Sequence, residues 1–522
     1  MPTVVDRPSG SRLAAAFFIA LFTLLTLAGL YAPRFAHPVA QVVVAPPLPP
    51  SMPAVEVWLS TEDRRLQLVQ QPSIETTVPG EAAAEVIVNV DKSYQTMVGF
   101  GAAMTDSSAW LLQNKINAVQ RTALLHELYG RPPNLGLNMM RLTIGASDFS
   151  LDLYTLDDLP PGQTDPDLTH FNVTPNTRDV IPTVQEVLAI NPDMRIIASS
   201  WTAPGWMKSS QVLVGGELLE QYESAYADYL VKYIDAYRGY GIPIFALTLQ
   251  NEPSFSPLTY PGMLMPAATR ARVIGKYLGP KLASRKSTTR ILDWDHNWNH
   301  PEEPLAVLGD ADAARYVDGV AWHCYAGAPH AQSDVHRAFP KKDVYLTECS
   351  GGDWASAANG ELIWFSNNLL VASMRNWARG VVYWNLALDE NHGPHFGGCA
   401  LCKGIITIDS QTGEITRNDE YYAIAHFSRF VLPGAVRVGS TATEKGLENV
   451  AFQNVSDESM VLVVVNSHTE PTPVTVAQGP VRFQYTMPPR SVATFIWNSD
   501  LAGAWVRRAL GWLNGPREHL NY

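Results

Sequence analysis

Eight stretches of strand character recur along the middle of this chain, each followed by helical sequence, and few architectures accept that rhythm. The strand-like runs cover residues 96–105, 137–145, 194–201, 244–250, 289–294, 316–325, 342–348 and 381–388. Between them lie segments such as residues 219–230, where apolar side chains return at three-to-four spacing, the period of a helix with one buried face. Alternation of this kind, eight times over about 300 residues, predicts an α/β fold, a closed (β/α)8 TIM barrel. In such a barrel the reacting groups sit at the C-terminal ends of the strands.

Two of the eight runs end on a carboxylic acid. Ile244-Phe245-Ala246-Leu247-Thr248-Leu249-Gln250 is apolar enough for a strand buried on both faces, and it stops at Asn251-Glu252-Pro253. Asp343-Val344-Tyr345-Leu346-Thr347 stops at Glu348, followed by Cys349 and Ser350. Strands four and seven of one barrel can face these carboxyl groups across a pocket. Two facing carboxylates are the minimum equipment for glycoside hydrolysis, one as acid/base and one as nucleophile or base.

The flanks read differently. Residues 1–32 contain an uncharged apolar run from 13 to 32, bounded by Arg12 and Arg34, close to the ~20 residues that cross a bilayer. It reads as a signal peptide or membrane anchor, with the anchor favoured because Pro33 and Pro38 leave no clean cleavage site. Membrane association through residues 13–32 and an extracytoplasmic location, membrane-anchored or secreted, are therefore expected. Residues 33–54 include Ala45-Pro46-Pro47-Leu48-Pro49-Pro50, an extended spacer. Residues 55–90 alternate in strand fashion, the barrel is expected over 91–425, and 426–498 break into short alternating runs divided by Gly, Pro, Asn and Ser. Both ends of the chain are expected to build one attached all-β sandwich. Residues 499–522 form an amphipathic tail with two arginines in its helical part, expected to dock on the body of the protein. With 38 basic against 50 acidic residues, a formal charge of −12, nothing suggests nucleic acid, which would call for a basic face.

Seven motifs in order carry a family resemblance. They are Gly99-Phe100-Gly101-Ala102-Ala103-Met104-Thr105-Asp106; Arg141 with Ser147-Asp148-Phe149; Ser199-Ser200-Trp201-Thr202-Ala203-Pro204-Gly205-Trp206-Met207-Lys208; Asn251-Glu252-Pro253; Ala321-Trp322-His323-Cys324-Tyr325; Thr347-Glu348; and Trp384-Asn385-Leu386-Ala387-Leu388. Over roughly residues 90–497 the chain resembles glycoside hydrolase family 30, which includes the glucosylceramidases. The resemblance implies that Glu252 is the general acid/base and Glu348 the nucleophile of a retaining reaction, and that Asp148, Trp201 and Trp384 bind the sugar. Asn251 is placed to hydrogen-bond the sugar 2-hydroxyl, Tyr325 to hold the nucleophile, and His323 to orient it or bind sugar. To donate its proton, Glu252 is expected to have a raised pKa. Arg141 is expected to pin a carboxylate, and Asp106 can serve structure or substrate.

Neither metal nor organic cofactor is expected, because two glutamates complete the reaction. Cys399 and Cys402, in the loop after strand eight, are expected to close a small disulfide, while Cys324 and Cys349 are read as packing residues that the neighbouring strands six and seven could bring close. The function expected is a retaining β-glycosidase acting on β-glucosides of a carbohydrate or glycolipid, glucosylceramidase-like. The alternatives are a β-1,6-glucanase, β-xylosidase or β-fucosidase of the same family, or a catalytically silent carbohydrate-binding protein.

Overall fold

The runs with period-two alternation or continuous apolar character become strands in the computed structural model, which describes residues 54–76, 85–354, 361–442, 446–479 and 481–498. Three strands precede the barrel: β1 (Ala54–Thr61), β2 (Val69–Glu75) and β3 (Val86–Thr96). The barrel strands are β4 (Gly99–Ala103), β5 (Met139–Ile144), β6 (Arg195–Ser200), β7 (Ile244–Thr248), β8 (Arg290–Asn297), β9 (Val317–His323), β10 (Asp343–Glu348) and, after the two-residue β11 (Gly351–Gly352), β12 (Ala378–Asn385). They close parallel in the order β10-β12-β4-β5-β6-β7-β8-β9, so all eight expected strands are present.

The barrel is filled, not hollow. Met139, Ile197, Ala246, Leu292, Ala321, Tyr345 and Val382, one from each strand but β4, pack into a buried inner layer. Beside it β4 carries Gly101, where a Cβ would lie 1.8 Å from the carbonyl oxygen of Met139. Any larger residue there would push β4 off β5. The outer faces of the strands bury the apolar stripes of the surrounding helices, forming a much larger core.

Beyond the barrel, β13 (Ala387–Leu388), β14 (Cys402–Lys403), β15 (Ile406–Ile408) and β16 (Ile415–Arg417) make small sheets beside the eighth strand. The remaining strands, β17 (Val436–Ser440), β18 (Leu447–Gln453), β19 (Ser459–Asn466), β20 (Thr472–Gln478), β21 (Val481–Met487) and β22 (Ser491–Asn498), join the first three in the order β2-β1-β22-β19-β18-β17-β3-β20-β21. Its edge strands β2 and β21 approach each other, so the sheet curls into a sandwich over its own core of Val57, Leu462, Phe483, Phe495 and Trp497. Both chain ends contribute, as expected. β2 was not foreseen: Val-Gln-Gln-Pro-Ser-Ile-Glu lacks a buried face and carries a proline, which an edge strand tolerates.

The helix Asp419–Ser428 packs on both β4 and β22. From it, His426 hydrogen-bonds Ser60 Oγ and Thr494 Oγ1, each at 2.8 Å. Burial pushes this imidazole down to about 3, so it joins barrel and sandwich as a neutral group. The apolar run 13–32, the linker up to residue 53 and the tail 499–522 lie outside the described residues. Among the described residues no helix is long and apolar enough to cross a membrane.

Candidate active site

Polar groups gather where the barrel strands end, because each strand runs apolar through the core and then changes character. β7 is followed by Asn251 and Glu252, β9 ends at His323, and β10 ends at Glu348. Glu252 has φ +48°, a left-handed turn that a side chain rarely adopts without a compensating role. Its backbone N–H is held by the Asp295 carbonyl at 3.0 Å.

Glu348 has one donor for each oxygen. Arg141 Nη1 donates to Oε2, and the Tyr325 hydroxyl donates to Oε1 at 2.9 Å. Arg141, fully buried on β5, also donates from Nη2 to Asn251 Oδ1 (2.7 Å) and Asp295 Oδ2 (2.8 Å). Across the pocket, His323 places Nδ1 3.1 Å from Glu252 Oε1 and Nε2 3.0 Å from Asp295 Oδ1. The same Nδ1 lies 3.9 Å from Glu348 Oε1. The two glutamate oxygens therefore stand no further apart than the sum of 3.1 and 3.9 Å, which falls short of most of the ~6.5–9.5 Å span of inverting pairs.

Both nitrogens of His323 face carboxylates, which only accept, so the ring is satisfied as an imidazolium. Burial alone would lower its pKa, yet the Glu348 charge and the hydrogen bonds to Asp295 and Glu252 raise it to about 9. The expected raised pKa of Glu252 is not found. Burial works in that direction, but hydrogen bonds and charge from His296 and His323 outweigh it and hold Glu252 down at about 2. In the free site the proton rests on the imidazole.

Asp295 is the group that sequence reasoning missed. Its carboxylate accepts from Arg141, Ser199 Oγ (2.6 Å), Thr248 Oγ1 (2.7 Å), Thr347 Oγ1 (2.7 Å) and His323. Despite its burial, the Arg141 charge and the His323 contact hold it well below the usual carboxylate range. The strand was expected to end at Trp294, and strict alternation from the inward Leu292 would turn Trp294 inward and Asp295 out. Instead β8 shifts register between Trp294 and His296, with positive φ at Trp294 (+78°) and Asp295 (+56°). The irregularity sends Trp294 to the outer core and aims Asp295 into the site. The available signal was the acidic, histidine-bearing ending Asp293-Trp294-Asp295-His296, which resembles the endings of the other reactive strands.

Trp201 and Trp384 lie almost fully buried and stack on each other, ring centroids 5.1 Å apart and 15° from parallel. The Arg141 guanidinium sits 4.8 Å from one centroid and 5.4 Å from the other. Stacked on each other and against Arg141, the two rings are almost entirely covered. Asp148 is also buried. Desolvation and then the Glu348 charge push its pKa well above the usual range, favouring a neutral acid that can donate as well as accept. The loop after β12 crosses it so closely that a Cβ on Gly398 would come within 2.4 Å of the Asp148 Cβ. In that loop Cys399 and Cys402 are joined. Cys324 and Cys349, read as packing residues, are a second disulfide that ties the ends of β9 and β10 together beside His323 and Glu348. They are 25 residues apart in sequence, and the adjacency of these two strands brings them together. Asp106 accepts from Tyr154 (2.8 Å) at the start of the helix Asp106–Asn114, a structural contact.

Glu252, His296 and His323 offer ligand atoms within 4.8 Å of one another. Both nitrogens of His323 are already hydrogen-bonded to carboxylates, so the group reads as a proton relay.

Known proteins share this arrangement of barrel and sheet. The model of the glycosyl hydrolase family 30 TIM-barrel domain matches residues 97–431, and that of the family's beta sandwich domain matches 434–495. An endo-1,6-beta-D-glucanase of Aspergillus fumigatus is 36% identical over 433 residues, covering 77% of this chain and 85% of the relative. The lysosomal acid glucosylceramidase of Mus musculus is 28% identical over 485 residues, 86% of this chain and 90% of the relative. A solved endo-beta1,6-glucanase superposes with a TM-score of 0.78 at 32% identity, over 85% of this chain and 99% of its own. With a barrel and sandwich that both match, and a carboxylate pair at the expected strand ends, the chain belongs to glycosyl hydrolase family 30.

Proposed function

We propose that this glycosidase is an endo-acting β-1,6-glucanase working with retention of configuration, with Glu348 as nucleophile and Glu252 as acid/base. The observation that supports a two-carboxylate reaction is the single imidazole nitrogen of His323, 3.1 Å from Glu252 and 3.9 Å from Glu348, which sets both carboxylates against one pocket, and the anomer released first tests retention. The specificity rests on relatives: the endo-1,6-beta-D-glucanase cited is 36% identical, against 28% for the glucosylceramidase. The β-1,6-glucanase alternative is thus better supported than the glucosylceramidase expectation.

Arg141 and Tyr325 hold Glu348 aimed, so its free lone pair attacks the anomeric carbon. Glu252 takes a proton from His323 along their hydrogen bond and passes it to the departing glycosidic oxygen, which leaves Glu252 a carboxylate and His323 neutral. Once the glycosyl ester forms, Glu348 loses the charge that supports the imidazolium, which favours this transfer. Glu252, now a carboxylate, deprotonates the water that releases the sugar and returns that proton to His323, and the nucleophile is restored. Asn251, held by Arg141, is positioned to bond the 2-hydroxyl.

The test is hydrolysis of a linear β-1,6-glucan, with glucosylceramide as competitor substrate. We expect mixed-length oligosaccharides early in the reaction, with the β-anomer formed first. Glu252→Gln and Glu348→Gln should each lower kcat by at least about 100-fold. Faster turnover of glucosylceramide would overturn the specificity, and full turnover by Glu348→Gln would overturn the mechanism.

A further inference from the structure

The long loop between β5 and β6, which carries Asp148 to the active site, holds a second cluster of ionisable groups that the reaction does not use. Asp157 is 1% exposed, and neither of its carboxylate oxygens has a hydrogen-bond partner. One of them lies within 4.8 Å of ligand atoms of both Asp165 and His170. A buried carboxylate left bare is costly unless a proton or a cation compensates it. Here a second carboxylate and an imidazole converge on it, and His170 Nδ1 stands 2.9 Å from Asp165 Oδ2. Asp158, next in sequence, spends both oxygens on Thr155 and is not available.

We propose that Asp157, Asp165 and His170 form a site for a divalent first-row transition metal of the zinc type. Two carboxylates and one imidazole are a mixed oxygen and nitrogen set, which suits zinc better than the all-oxygen coordination of calcium. Three protein ligands leave a fourth position for water. The exposed side of His170, whose side chain is 65% accessible, is the route of entry.

The placement gives the ion a mechanical role. The backbone carbonyl of Asp157 accepts from Trp206 Nε1 at 3.1 Å, and Trp206 belongs to the loop after β6. Asp165 and His170 close a tight turn further along the β5–β6 loop, anchored by Lys232 Nζ donating to the Leu168 carbonyl at 2.7 Å. A bound ion therefore cross-links the loop that carries Asp148 to itself, at the point where Asp157 accepts from Trp206 of the loop after Trp201, stiffening one wall of the cleft whichever glycoside it cleaves.

The test uses the full chain stripped by a chelator and titrated with zinc, with bound metal measured by mass spectrometry and calorimetry. Four proteins are compared: wild type, Asp157→Asn, His170→Ala and Glu252→Gln, the last to catch binding at the Glu252, His296 and His323 group. We expect one zinc per chain in the wild type and in Glu252→Gln, with a melting temperature raised by zinc. Affinity should fall at least about tenfold in Asp157→Asn and His170→Ala. His170 is exposed, so its removal leaves the fold intact and keeps the result readable even if Asp157→Asn misfolds. No zinc uptake by the wild type, uptake unchanged in His170→Ala, or uptake lost in Glu252→Gln would each overturn the site.

Discussion

Charge placement inside the site determines how the protein answers to pH. His323 has a folded-state pKa of about 9 against an ordinary 6.5, so its proton contributes stability that is fully present below pH 6.5 and is lost as the pH rises through 9. Glu252, at about 2 against an ordinary 4.5, contributes stability present above pH 4.5 and lost as the pH falls through 2. Both contributions are in place between pH 4.5 and 6.5. Thermal melts from pH 4 to 10 should show a decline on the alkaline side that is flatter in His323→Gln; a wild-type curve level through pH 9 would show that the imidazolium does not form. Asp295 is the counter-charge beneath both Arg141 and His323. Asp295→Ala should destabilise the protein by about 3–5 kcal/mol in urea unfolding, because it leaves a buried guanidinium without one of its two anions.

The ends of β9 and β10 are fixed twice, by hydrogen bonding in the barrel and by the Cys324–Cys349 bridge. That bridge closes a 25-residue separation and sits one residue from His323 and one from Glu348. Replacing both cysteines by serine should cost about 2–4 kcal/mol of stability under oxidising conditions, read by denaturant unfolding. It should also lower turnover, because Tyr325 and Glu348 lose a common anchor. Unchanged turnover would mean that the strands alone hold the pair in register. Element existence was legible throughout this region because β9 and β10 are apolar runs of strand length. Their irregularities were not. β8, β10 and β12 each shift register near the pocket, and a shift leaves no mark on the apolar and polar pattern that announces a strand.

The barrel and the sandwich depend on each other. β1 pairs with β22 and β3 with β17, while the helix Asp419–Ser428 rests on β4 on one side and on β22 on the other. A chain ending at residue 431 would leave β1 with only the edge strand β2, strip β3 of both its neighbours and uncover that helix. It should be insoluble or lack a cooperative thermal transition, as followed by circular dichroism; a soluble, active truncation would show that the barrel stands alone. The sequence by itself determined the eight-fold alternation, the sandwich assembled from both ends, the family, and the two glutamates at strand ends. These follow from local periodicity and from where an apolar run stops. Tertiary structure decided which charges became neighbours: Asp295 under Arg141, His323 carrying the proton that Glu252 was expected to hold, Trp201 turned onto Trp384, and Cys324 bonded to Cys349. Those outcomes depend on side-chain direction at the strand ends. A bulge or a single left-handed residue reverses that direction, and period-two reading assumes neither.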